Sequence, residues 1–104
     1  MKYRKIEEIL KQHKKELAEK YKVKEIGIFG SYVRREQKKR SDLDILVEFE
    51  EVPGLLKFIG LEEYLTKILG RKVDLVRRRA IRQELRDNIL KEVVFVWSEN
   101  IRCL

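Results

Sequence analysis

A chain of 104 residues predicts one domain around one core, residues 1–104, and no second domain of ordinary size. A hydrophobic fraction of 43% excludes a disordered chain, and no apolar stretch approaches the roughly 20 residues that a helical membrane span requires. The net charge of +7 favours polyanionic partners without choosing among nucleic acid, nucleotide phosphates and an acidic protein. The charged amphipathic N-terminus lacks the apolar region of a signal peptide, so the expected compartment is the cytoplasm. Cys103 has no second cysteine to pair with and reads as a bystander thiol.

Residues 3–21 place Tyr3, Ile6, Ile9, Leu10, Leu17 and Tyr21 at helical spacing and predict one amphipathic helix, with His13 as a boundary residue on its flank. Residues 23–29 read as a first strand, in which Gly27 signals close approach of a neighbour. A short helix over 31–37 follows, capped by Gly30 or Ser31, and Lys38, Lys39 and Arg40 form a basic loop. The second strand covers 42–49, and Val52, Pro53 and Gly54 reverse the chain. Apolar residues from Leu55 to Leu69 keep helical spacing up to Gly70, a natural stop.

Residues 71–76 form a third strand, followed by Arg77, Arg78 and Arg79. Ile81, Leu85 and Ile89 recur at i+4 within a helix over 80–92, and residues 93–97 close the sheet, with Trp97 as a packing residue. Helices alternating with strands predict an α/β or α+β fold, a small mixed sheet with helices packed on it.

The chemistry concentrates in two stretches. Ile26 to Gly30 is an apolar strand that ends in Gly30-Ser31, a turn delivering the chain to a helix start, where free N–H groups favour phosphate. After ten intervening residues Asp42 and Asp44 alternate along the second strand, so both face one side with Cα atoms roughly 6.5 Å apart. Asp74 interrupts an otherwise apolar third strand, a position that strand preferences do not explain. On an edge strand it could simply pair with Arg71 or Arg77. If the third strand lies beside the second, it completes a three-carboxylate cluster.

Three clustered carboxylates repel one another, and Mg²⁺ relieves the conflict because it prefers hard oxygen ligands. Two such ions about 3.5–4 Å apart activate an attacking hydroxyl and stabilise a leaving oxygen. Asp42 and Asp44 are expected to hold both ions. Asp74 is expected to hold the one nearer the nucleophile and to take its proton.

Gly30, Ser31, Asp42, Asp44 and Asp74 together form the linked pattern of the DNA polymerase β-like nucleotidyltransferases, and the chain resembles their stand-alone minimal members, the MNT proteins, over nearly its whole length. The resemblance implies that Gly30 and Ser31 bind the β and γ phosphates of ATP, that the three aspartates bind Mg²⁺, and that Arg34 supports the phosphates or braces the loop. Arg35 departs from the small residue that relatives often carry there. Short members of this family are commonly antitoxins that silence a HEPN-domain RNase toxin by transferring AMP to one of its tyrosines, with release of pyrophosphate.

Two alternatives stand beside that expectation. A module that neutralises its partner by occlusion would need no catalysis. Transfer to RNA or to a small hydroxylated molecule would keep the chemistry and change the acceptor, and the two basic runs leave it open.

Overall fold

In the computed structural model, residues 3–34 and 42–98 are described. Lys38, Lys39, Arg40, Arg35 and Cys103 lie outside them, as do the side chains of Ser31 and Arg34. The elements run α1 (Tyr3–Gln12), α2 (Lys14–Lys20), β1 (Val23–Phe29), α3 (Ser31–Arg34), β2 (Leu43–Phe49), α4 (Leu55–Leu69), β3 (Val73–Arg77), α5 (Gln83–Glu92) and β4 (Val94–Ser98), with a 3-10 turn at Arg78–Ala80 before α5.

The four strands form one mixed sheet in the order β3-β2-β1-β4. β1 pairs antiparallel with β2 and β4, whereas β2 pairs parallel with β3 across the α4 connection. The expected mixed sheet with packed helices is therefore what the chain forms.

Alternation along the strands divides the sheet into two faces. Leu43, Ile45, Val47 and Phe49 of β2 join Ile26 and Ile28 of β1 in the main core, under Ile6, Leu10 and Leu17 of α1 and α2 and Leu61, Leu65 and Leu69 of α4. The opposite face is smaller: Phe29 and Leu46 meet Ile81, with Ile89 and Leu90 of α5 packed against them. The acidic residues of the two chemical stretches belong to this second face.

Three local features differ from, or sharpen, the expectations. The first helix breaks at His13, whose N–H is shared between the carbonyls of Ile9 and Leu10 at 3.2 Å each and whose ring Nδ1 lies 2.8 Å from the Ile9 carbonyl. The ring packs edge-on against Tyr64, so His13 is a joint between two helices and belongs to packing. At Gly27 an added Cβ would lie 2.7 Å from Val93 Cγ2 and 3.1 Å from the Val94 carbonyl oxygen, the close approach of a neighbour that its place in β1 suggested. α4 ends at Gly70, whose φ of 66° turns the chain out of the helix.

The second basic run is not free surface. Glu25 and Glu48 sit opposite each other on β1 and β2 and are only 3% and 4% exposed, so their charges require partners. Arg78 reaches Glu25 at 2.6 Å, and Arg77 and Arg79 reach the two oxygens of Glu48 at 3.3 and 3.4 Å. Ser98 on β4 donates its hydroxyl to the second oxygen of Glu25 at 2.7 Å. These contacts tie the segment between β3 and α5 to the middle of the sheet.

Candidate functional site

β1 delivers Phe29 opposite Asp44, and the chain then turns at Gly30, whose φ of 80° lies in the region that a side chain disfavours. A Cβ on Gly30 would collide with the carboxylate of Asp44. The glycine is required there for two reasons, the backbone angle and the carboxylate that fills the space beside it. Val33 N–H bonds the Gly30 carbonyl at 3.1 Å and closes the first turn of α3.

β3 lies parallel beside β2 with Asp74 in direct register with Asp44. Register partners on adjacent strands share a face, so the two aspartates stand side by side. Asp74 is exposed on β3, an edge strand of the sheet, and of the two arginines considered as partners for it Arg77 is engaged with Glu48. Asp42 lies one residue outside β2, exposed, with the same strand parity as Asp44; the next residue, Leu43, is anchored by its N–H to the Lys72 carbonyl at 2.9 Å.

Asp44, Asp74 and Gly30 line one cleft of about 380 Å³. The rest of the lining is mostly apolar, with Phe29 and Val76 on the strands and Ile81, Leu85 and Ile89 in and before α5, and Arg82 and Glu92 are its other charged members. Asp42 is not part of this lining. Hard carboxylate oxygens on neighbouring strands suit Mg²⁺, which commonly takes one or two protein carboxylates together with phosphate oxygens and water. Among the described residues, no three His, Cys, Asp or Glu side chains stand together as a metal cluster. The chain thus presents an adjacent pair with a third aspartate at the strand mouth, where the sequence suggested a gathered trio.

The α5 wall was not singled out as functional by the sequence. Ile81, Leu85 and Ile89 recur there at i+4 within one helix, yet Ile81 precedes α5 and is buried while Leu85 is 48% exposed. The i+4 apolar stripe was the available signal, and it carries no sign that Leu85 is left half exposed. Tyr32 is buried in the main core at 2% exposure, consistent with packing.

Comparison with known proteins gives the family and the fold. The family profile described as "Nucleotidyltransferase domain" matches residues 10–96. The chain is 58% identical over 91 residues to the protein adenylyltransferase MntA of Thermococcus cleftensis, covering 88% of this chain and 92% of that protein. It is 54% identical over 92 residues to a putative protein adenylyltransferase of Methanocaldococcus jannaschii, covering 88% and 94%.

Among solved structures, a putative minimal nucleotidyltransferase superimposes with a TM-score of 0.70 at 32% identity, covering 90% of this chain and 95% of that one. A toxin-antitoxin structure with AMP-PNP reaches a TM-score of 0.76 at 24% identity, covering 92% and 76%. A complex of a tri-AMPylated Shewanella oneidensis HEPN toxin with its MNT antitoxin reaches 0.70 at 21%, covering 96% and 76%. The last two share the fold.

Proposed function

The chain belongs to the nucleotidyltransferase family, with MntA-type minimal members among its relatives, and on that premise we propose that it transfers AMP from ATP to a tyrosine of a HEPN-domain toxin and so acts as that toxin's antitoxin. The observation that carries the reading is the register of Asp44 with Asp74 beside a glycine turn whose only side-chain space is taken by the Asp44 carboxylate. The relatives named protein adenylyltransferases, at up to 58% identity among those given above, support the choice of AMP and of a protein acceptor.

In this scheme the backbone N–H groups at Gly30 and Ser31, with the Arg34 guanidinium, bind the β and γ phosphates. Asp42 and Asp44 would hold Mg²⁺, and Asp74, in register with Asp44, would stand beside the attacking oxygen. Bound Mg²⁺ supplies charge neutralisation and orients the phosphates. The tyrosine oxygen forms a bond to the α phosphorus while the bond from that phosphorus to the bridging oxygen breaks. Pyrophosphate departs, and the phenolic proton passes to the Asp74 carboxylate. The chain's own contribution is positioning, as expected for phosphoryl chemistry in which the protein has little covalent work to do.

The test is an intact-mass measurement on a HEPN-domain partner after incubation with this protein, Mg²⁺ and each nucleoside triphosphate in turn. The expected result is a gain of one or more AMP groups with ATP, with matching pyrophosphate release. A partner that remains unmodified with every nucleotide contradicts the reading.

A further inference from the structure

We infer that the apolar wall of the cleft, with Leu85 as its open edge and Ile81 and Ile89 behind it, is the acceptor subsite: a shelf for an aromatic ring that bears the attacking hydroxyl. The inference rests on the proposed transferase reading and adds to it where, and by what chemistry, the acceptor is seated.

The order of the strands sets a direction. Gly30 ends β1, Asp44 lies on β2 and Asp74 on β3, so the three stand in sequence across neighbouring strands on one face of the sheet. In an in-line displacement the attacking and leaving oxygens lie on opposite sides of the phosphorus. With the triphosphate tail at the Gly30 turn, the attacking oxygen arrives from the Asp74 side.

The cleft that holds Asp74 is lined mostly by apolar side chains, with Arg82 and Glu92 as its other charged members. Val76 lies two residues beyond Asp74 on the same strand face, and Ile81 is 6% exposed beneath the cleft. Leu85 is 48% exposed although it lines the same cleft as the acidic pair. A phenol matches this surface, because it has a flat apolar body and a polar tip. Its ring covers Leu85 while its oxygen reaches toward Asp74. A serine hydroxyl has no body to cover the shelf, and a sugar would lay polar groups against Leu85 and Ile89, whose side chains offer them no hydrogen bond.

Leu85→Ala, Leu85→Glu and Leu85→Phe separate this role from others, and an exposed leucine is a site where the fold tolerates all three. The readouts are AMP transfer to the HEPN partner at saturating partner concentration, affinity for AMP-PNP with Mg²⁺, and thermal stability. We expect kcat to fall about tenfold in Leu85→Ala and further in Leu85→Glu, and to be retained in Leu85→Phe, with AMP-PNP affinity and stability unchanged.

Unchanged transfer in Leu85→Glu overturns the inference. So does a loss traced to AMP-PNP affinity, which would assign the shelf to the nucleotide base, or one confined to KM for the partner, which would make Leu85 a docking contact. If the wild-type protein transfers no AMP, the transferase reading falls and takes the subsite with it. If the wild type transfers and the variants match it, the subsite falls alone.

Discussion

A methyl group on Gly30 would occupy the volume held by the carboxylate of Asp44. The turn at Gly30 and the strand that carries Asp44 are therefore fitted to each other at one point. Gly30→Ala must both strain a backbone at φ 80° and displace the aspartate. We expect it to cost about 1–3 kcal/mol in a urea unfolding measurement and to abolish AMP transfer. Gly60, inside α4 with open space where its Cβ would be, is the contrasting site. Gly60→Ala should stabilise by roughly 0.5–1 kcal/mol and leave transfer intact.

Asp74 is exposed, so its carboxylate is not needed to hold the fold together. Asp74→Asn is expected to leave stability within about 0.5 kcal/mol of wild type. Transfer should nevertheless fall by roughly 10²–10⁴-fold, the usual scale for losing a positioned proton acceptor. Parallel unfolding and single-turnover measurements on the same protein sample check the two halves together.

The buried glutamates make the opposite expectation. Glu25 is held by Arg78 at 2.6 Å and by Ser98 at 2.7 Å, with the carboxylate almost fully out of solvent. Arg78→Ala removes a charge-assisted bond from a buried acid and is expected to cost roughly 1–3 kcal/mol. The double variant with Glu25→Gln should recover part of that loss, because the uncompensated charge is gone. A double-mutant cycle by urea unfolding measures the coupling.

Tyr64 ties α4 to α2 by donating its hydroxyl to Glu16 at 2.8 Å. Burial first, and then the bond to Glu16 and its negative charge, push the phenol up from 10.0 to about 12. The folded state thus holds this proton more tightly than the unfolded chain. Its stabilising effect is complete below about pH 10 and is lost as pH rises toward 12. Tyrosinate absorbance should show one tyrosine titrating later than an unperturbed phenol, and the delay should shrink in Glu16→Gln.

Much of the site was legible because its signals are local. Gly30-Ser31 after an apolar strand and Asp42-x-Asp44 on the next follow from turn and strand preferences, and the helix stop at Gly70 follows from a left-handed backbone. Asp74 was legible as an anomaly in β3, but only the parallel register with Asp44 settles its neighbour. The break at His13 was hidden, because the apolar spacing of α1 continues through it and the cause is a ring that competes for the Ile9 carbonyl. Arg77, Arg78 and Arg79 looked like a solvated basic run because Glu25 and Glu48 are distant in sequence. Only the pairing of β1 with β2 brings those two acids together beneath them. The role of Leu85 was equally non-local, since a helical stripe says which residues share a face and not how fully another surface covers it.

The central claim is that nucleotide and metal meet on the Gly30, Asp44 and Asp74 face, and paramagnetic broadening by Mn²⁺ with AMP-PNP tests it most directly in a protein of this size. The account expects the amide signals of Gly30, Asp44 and Asp74 to broaden first, those of Leu56 and Ile59 on α4 to stay sharp, and the effect to vanish in Asp44→Asn. Broadening centred on α4, or broadening at the three residues that persists unchanged in Asp44→Asn, would contradict it.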